Sequence, residues 1–170
     1  MTKERYNRLV SCTRRLVSNL PFQEKLLKLP TWLCAFLYGL GFLWLIYHQS
    51  PFYLYLFGPA CCFLLASFLR NQIGRDRPYD HFGIRPVGRY QPGKKKSMPS
   101  RHAASAAAIA LALCLFCPPF FYIPAVFLCF LVCLLRIVTG QHYPSDVLCG
   151  VLLSSFLMGS MFLIQKSLGM

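Results

Sequence analysis

Two histidines, one aspartate and four arginines stand out in this sequence because they lie at the borders of long apolar segments. Together with one serine they occupy three short stretches: Arg70 and Arg77 in 70–78; Ser100, Arg101 and His102 in 99–102; and Arg136, His142 and Asp146 in 136–146. A guanidinium group can bind phosphate through two parallel hydrogen bonds, and an imidazole can attack phosphorus or transfer a proton. Brought together, these residue types predict an anion site with nucleophilic and acid–base capacity.

The composition predicts that a lipid bilayer surrounds this site. Of the 170 residues, 56% are apolar and only 14% are charged, against about a quarter charged in an ordinary soluble domain. The mean hydropathy is +0.48, and a soluble chain of this length cannot bury so much apolar surface. The net charge of +13 therefore bears on membrane orientation rather than on nucleic acid. We expect a single membrane domain over 1–170 and no nucleic-acid partner.

The apolar runs predict an all-α bundle of about five transmembrane helices within 31–170. The expected spans are 31–47, 52–69, 99–117, 120–135 and 145–164, each approaching the roughly 20 residues that cross a bilayer. In the region 1–30, apolar residues recur at helical spacing among basic ones. This pattern predicts an amphipathic helix in the membrane interface, with a helix packed on another protein surface as the alternative. Pro21 is expected to end that helix, and Pro30 to precede the first span.

Alternating crossings bring the three stretches to one face of the membrane. If five helices cross in turn, one face of the membrane holds four of their ends and connections. These are the long polar loop 70–98, the start of the third span, the end of the fourth span and the start of the fifth. These places hold the histidines, the aspartate and the arginines noted above. Charges gathered in this way indicate a functional site, whereas scattered charges at helix ends are ordinary anchors.

The three stretches resemble the signature of the type 2 phosphatidic-acid phosphatase superfamily. Their patterns follow in the family's order: Arg70-x6-Arg77-Pro78, Pro99-Ser100-Arg101-His102 and Arg136-x5-His142-x3-Asp146. The family includes lipid phosphatases, undecaprenyl-diphosphate phosphatases and the vanadium haloperoxidases. This chain has Arg70 where the family usually has lysine, Arg101 where it has glycine, and Leu135 where it has serine.

The resemblance implies a role for each of these residues. His142 attacks phosphorus to form a phosphohistidine, Asp146 orients the His142 ring, and His102 protonates the leaving oxygen and then activates water. The implied phosphate-binding residues are Arg70, Arg77, Ser100, Arg101 and Arg136. Backbone N–H groups at 100–102, where the third span begins, would add donors for an anion. We expect no metal site and no cofactor, because arginines neutralise the phosphate charge.

These expectations combine into a metal-independent lipid phosphatase of the cell membrane, with lipid phosphates and membrane lipids as its partners. The candidate substrates are an isoprenoid diphosphate, phosphatidate and phosphatidylglycerol phosphate. The same histidine also supports a lipid phosphotransferase, in which another lipid rather than water takes the phosphate. A non-catalytic lipid-binding protein is a third alternative, and the membrane bundle argues against a soluble haloperoxidase. The sequence leaves the substrate and the oligomeric state open.

Three local alternatives bear on the site. His142 and Asp146 taken alone fit a capping pair at a helix start, but the other motifs in register argue against that interpretation. Arg101 is either a pocket residue or an arginine that extends toward lipid phosphate. The three consecutive lysines at 94–96 fit a patch on the lipid surface better than substrate ligands.

Lysine and arginine are distributed unequally between the two predicted faces. Of the eighteen in the chain, Lys166 alone lies opposite the site. The excess of basic residues on the site face remains when the four motif arginines are left out of the count. Seven of the basic residues precede Pro30, in a region where we expect no catalytic residue. The positive-inside rule therefore predicts a cytoplasmic active site, although many members of the family work on the outer face.

Overall fold

The apolar runs of this chain form helices that pack around one central, alanine-rich helix. The computed structural model describes residues 2–18, 23–49, 52–88 and 90–167. Within these ranges there are seven helices and no strand: α1 Lys3–Ser18, α2 Gln23–Tyr47, α3 Tyr53–Ile73, α4 Pro78–Phe82, α5 Arg101–Phe116, α6 Pro119–Val138 and α7 Pro144–Ser167. The predicted all-α membrane fold is confirmed.

Four of these helices, α2, α3, α6 and α7, are long and apolar enough to cross a membrane. The fifth long helix of the bundle, α5, has 16 residues, and at 1.5 Å per residue it is about 24 Å long. That is shorter than the roughly 30 Å hydrocarbon core of a bilayer. The third predicted span is therefore shorter than expected, because Ser100 has extended backbone angles and the helix begins only at Arg101.

Small side chains on α5 and α7 allow these two helices to approach closely. The buried residues of α5 are nearly all alanines: Ala103, Ala104, Ala106, Ala107, Ala108, Ala110 and Ala112, with Leu113. A Cβ placed on Gly150 of α7 would stand only 2.7 Å from the Ser100 carbonyl oxygen. The Ser154 hydroxyl donates to the Ala104 carbonyl at 2.8 Å. Small residues and interhelical hydrogen bonds of this kind hold membrane helices together.

Large apolar side chains cover the outside of the bundle. Trp32, Phe127 and Phe156 are 71%, 61% and 76% exposed, and they belong to α2, α6 and α7. Soluble monomers rarely expose apolar surface over several neighbouring helices. These faces therefore contact lipid, and the chain is a multi-pass membrane protein.

Two helix boundaries differ from those that the sequence predicts. Pro30 lies inside α2 rather than before it, because a membrane helix tolerates proline where neighbours satisfy the freed backbone group. The second span continues past residue 69, so that Arg70 lies in the last turn of α3. Gly74, with φ +59°, then ends that helix in the left-handed conformation that favours glycine.

The amphipathic helix α1 lies at the same end of the molecule as the predicted site, and the first half of its apolar face is covered by the rest of the chain. Tyr6 and Val10 are 0% and 1% exposed. The Tyr6 hydroxyl donates to the Gly140 carbonyl at 3.0 Å, and the Thr13 hydroxyl donates to the Val138 carbonyl at 3.0 Å. Tyr6 and Val10 thus pack on the chain itself, whereas Leu16 of the same helix is 72% exposed and the basic side chains of α1 are also exposed.

Candidate active site

The ends of α3, α5, α6 and α7 meet at one end of the bundle. Backbone hydrogen bonds tie their loops together there: Ser100 N–H donates to the Asp146 carbonyl at 2.9 Å, Ser97 N–H to the Arg75 carbonyl at 3.0 Å, and Val87 N–H to the Thr139 carbonyl at 2.9 Å. The three sequence stretches converge, as alternating crossings predict.

A cavity of about 300 Å³ opens between these helix ends and the first turns of α2. Six of the predicted site residues line it: Arg70, Arg77, Arg101, His102, Arg136 and His142. Among the described residues, no aspartate or glutamate lines this cavity. Four guanidinium groups on its wall, without a carboxylate, favour a multiply charged anion as its occupant.

Two of the arginines keep buried nitrogens without a protein partner. Arg70 is 4% exposed, and its Nε, like that of Arg77, has no hydrogen-bond partner among the described residues. Buried polar atoms normally have a hydrogen-bond partner. An anion that accepts hydrogen bonds from these two nitrogens would therefore supply the partner that they lack. Arg136 differs, because its Nη1 donates to Gln141 Oε1 at 2.9 Å.

Ser100 occupies the N-cap position of α5, but its hydroxyl makes no capping bond. Serine is favoured there because its oxygen usually accepts from a backbone N–H in the first turn. The Ser100 Oγ is instead buried without a partner among the described residues, and Ser100 does not line the cavity. Its N–H is bonded to the Asp146 carbonyl. The prediction that all three N–H groups at 100–102 can face an anion is therefore wrong for the first of them.

His142 lies between the cavity and the buried Asp146 carboxylate. The side chain is 2% exposed, and its backbone N–H donates to the Arg136 carbonyl at 3.1 Å, which closes the loop between the two residues. Gly140, with φ +75°, makes the turn in that loop. The His142 Nδ1 faces Asp146 Oδ2 at 3.7 Å, which leaves Nε2 for the cavity.

The ionisation state of His142 suits a nucleophile. Burial lowers the pKa of this imidazole to about 4; the nearby Asp146 opposes the shift, and Arg77 and Arg70 reinforce it. The ring is therefore neutral at physiological pH and keeps a lone pair. The 3.7 Å separation from Asp146 exceeds hydrogen-bond length, and such contacts often tighten only when substrate binds.

The Asp146 carboxylate is held by residues that the three motif patterns leave unspecified. Arg75 Nη1 donates to Oδ1 at 2.7 Å, the Ser97 hydroxyl donates to Oδ2 at 2.5 Å, and the Tyr143 N–H donates to Oδ2 at 3.0 Å. The sequence pattern does not identify Arg75 or Ser97. The one available signal was the density of arginine between Arg70 and Arg77.

A basic groove of about 720 Å³ adjoins the cavity. Arg70, Arg77 and Arg101 line both spaces, and the lysines at 94–96 line the groove. The Arg101 guanidinium lies 5.6 Å from the centre of the Phe63 ring, at the junction of the two spaces. This position supports the interpretation of Arg101 as a pocket residue.

Comparison with known proteins agrees with this fold. The family model of the PAP2 superfamily matches residues 51–169. This chain belongs to the PAP2 superfamily. The fold is similar to that in the crystal structure of the first transmembrane PAP2 type phosphatidylglycerolphosphate phosphatase from Bacillus subtilis, with 25% identity, a TM-score of 0.63, and coverage of 94% of this chain and 87% of that chain. The search among curated proteins gave no match.

The PAP2 cavity is completed by helix α2, which precedes the matched region. Helix α2 contributes two apolar side chains to the wall, Leu27 and Trp32, together with the polar Lys28 and Thr31, and α6 contributes the apolar Leu135. The sequence pattern does not predict this wall, because these α2 residues belong to none of the three stretches. Apolar side chains beside the arginines suit a substrate with a hydrocarbon chain. Among the described residues, no group of three or more His, Cys, Asp or Glu side chains could hold a metal ion.

Proposed function

We propose that this chain is a membrane lipid phosphatase that acts through a phosphohistidine on His142. The observation that carries the proposal is a single cavity that joins four arginines to His102 and His142, with the Asp146 carboxylate behind His142. Membership of the PAP2 superfamily and similarity to a transmembrane phosphatase support hydrolysis of a phosphoric ester. The apolar side chains of Leu27, Trp32 and Leu135 in the same cavity support a lipid substrate.

The proposed reaction has two steps. His142 Nε2 attacks phosphorus while His102 protonates the lipid oxygen, so that the P–O bond to the lipid breaks and the phosphohistidine forms. His102 then takes a proton from water, which attacks phosphorus, breaks the P–N bond and releases inorganic phosphate. The arginines stabilise the charge on the phosphoryl oxygens throughout.

Phosphate release from several lipids tests this function. The purified protein in detergent, with a chelator present, is expected to release phosphate from an isoprenoid diphosphate such as undecaprenyl diphosphate, from phosphatidate or from phosphatidylglycerol phosphate. Vanadate should inhibit, because it mimics five-coordinate phosphorus. A strict requirement for magnesium would contradict the role given to the arginines. A phosphorylated lipid acceptor formed without free phosphate would identify a phosphotransferase, and no turnover of any lipid phosphate would leave a lipid-binding protein.

Arg101→Gln is expected to change the choice between substrates while the chemistry remains intact. Arg101 lies where the cavity meets the basic groove, so it is placed to contact a second phosphate. The loss of one hydrogen bond to a charged group costs about 1.5–3 kcal/mol, which corresponds to a loss of roughly tenfold to a hundredfold in kcat/KM for a diphosphate. Phosphatidate turnover should change much less. An equal loss for both substrates would reduce Arg101 to a surface anchor.

We also propose that the active site faces the cytoplasm, because among the described residues Lys166 is the one lysine or arginine at the opposite end of the bundle. A membrane-impermeant thiol reagent in intact cells tests this orientation. The exposed native Cys12 on α1 and a cysteine introduced by Lys95→Cys should both stay unlabelled until the membrane is permeabilised.

The control for orientation is His48→Cys, an exposed position at the other end of the bundle. It should be labelled in intact cells. Lys95 is preferable to its neighbour Gly93 as the labelled position, because Gly93 has φ +74° and a cysteine there would be strained. Labelling of Cys12 and Lys95→Cys from outside, with His48→Cys protected, would place the phosphatase on the outer leaflet.

A further inference from the structure

The buried carboxylate of Asp146 depends on a residue that does not touch the catalytic cavity. Its two oxygens have different neighbours. Oδ2 faces His142 Nδ1 at 3.7 Å, whereas Oδ1 accepts a hydrogen bond from Arg75 Nη1 at 2.7 Å. Asp146 is 0% exposed, and an ionised carboxylate is stable at such a position only when cations and hydrogen-bond donors compensate for the lost water.

Arg75 itself is held in place by several contacts. Its Nη1 also donates to the Ser145 hydroxyl at 3.0 Å, and its guanidinium carbon lies 4.4 Å from the centre of the Tyr143 ring. Its backbone carbonyl accepts from the Ser97 N–H at 3.0 Å, while the Ser97 hydroxyl donates to Asp146 Oδ2. Arg75 and Ser97 thus hold the two oxygens of one carboxylate and are bonded to each other.

Arg75 lies outside the catalytic cavity. It is absent from the residues that line the catalytic cavity and lies instead in another groove, of about 640 Å³, with Tyr143 and Ser145. Its side chain is 36% exposed there. An effect of Arg75 on the reaction must therefore pass through Asp146.

We propose that Arg75 is a positioning residue, which holds the Asp146 carboxylate ionised and fixed so that Oδ2 stays directed at His142 Nδ1. The proposal rests on the proposed function, in which His142 attacks phosphorus and its ring gains positive charge. A carboxylate held in one orientation can accept a hydrogen bond from Nδ1–H of that ring and stabilise its positive charge without first reorganising. Ser97 assists by fixing Oδ2 from the other side.

A double-mutant cycle in the purified full-length protein tests the proposal. Arg75→Gln should lower kcat by about tenfold to a hundredfold, the range for a lost hydrogen bond to a charged group, with KM within about twofold of wild type because Arg75 does not contact substrate. Arg75→Lys should recover most of the loss. In an Asp146→Asn background, Arg75→Gln should have almost no further effect, because residues that act through one another are not additive.

Arg85→Gln is the matched control, since it removes an exposed arginine whose guanidinium stacks 5.4 Å from the Tyr90 ring. It should leave kcat unchanged. A raised KM at constant kcat in Arg75→Gln would make Arg75 a substrate ligand, and an equal loss in both backgrounds would make it a general support of the fold. Either outcome overturns the inference, as does full activity of Arg75→Gln. A wild-type protein without phosphatase activity would instead overturn the proposed function.

Discussion

His142→Ala is expected to remove lipid-phosphate turnover altogether. The neutral imidazole, with Nδ1 facing Asp146 and Nε2 left for the arginine-lined cavity, is the group that the proposed mechanism uses to attack phosphorus. Without it no phosphohistidine can form, and the remaining residues can only bind the anion. The measurement is phosphate release together with trapping of the phosphoenzyme from a lipid labelled in its phosphate. Quenching should be alkaline, because phosphohistidine is labile to acid.

The matched control for this variant is His81→Ala, which removes an exposed imidazole from the neighbouring helix α4. It should keep both turnover and the trapped phosphoenzyme. Since His142 is buried and alanine leaves a cavity, His142→Gln serves as a second variant that retains volume and should be equally inactive. Turnover near the wild-type rate in either His142 variant would refute the nucleophile, whatever the effect on stability.

The helices and the meeting of the three motifs could be predicted from the sequence, because both follow from simple physical constraints. A long apolar run has no solvent other than lipid, so it must span or pack within the membrane. Alternating crossings then decide which helix ends share a face. This argument places Arg70, His102 and His142 at one end without any knowledge of side-chain contacts, and the cavity that they line lies there.

The partners of Asp146 could not be predicted in the same way. Arg75 and Ser97 lie in the connection between α3 and α5, whose path is set by turns at Gly74, Gly83 and Gly93 rather than by any repeat of apolar residues. A one-residue change in that path would direct a different arginine to the carboxylate. The contact between Tyr6 and Gly140 could not be predicted either. Helical periodicity predicts that α1 has an apolar face, but it does not predict which residues pack against that face.

Asp146→Asn is expected to lower kcat by about a thousandfold or more, by analogy with the carboxylates of hydrolase triads, with little change in KM. The structure gives two reasons. An amide carries no negative charge to stabilise the His142 ring as it becomes cationic. The amide also replaces one acceptor oxygen with an NH₂ donor. In the wild-type carboxylate both oxygens accept hydrogen bonds: Oδ1 from Arg75, and Oδ2 from the Ser97 hydroxyl and the Tyr143 N–H. Either orientation of the amide sets its NH₂ against another donor, so the ring and its neighbours lose their arrangement together.

Asp76→Asn makes the same chemical change at an exposed carboxylate and should leave kcat unaltered, which isolates the effect of position. Steady-state kcat and KM on one lipid phosphate, with thermal unfolding in detergent, separate lost chemistry from lost folding. If folded Asp146→Asn retains turnover within about tenfold of wild type, the carboxylate merely caps α7 and the triad analogy fails. If kcat falls as expected at unchanged KM, the carboxylate acts on the transition state rather than on binding, which is the role that its burial behind His142 gives it.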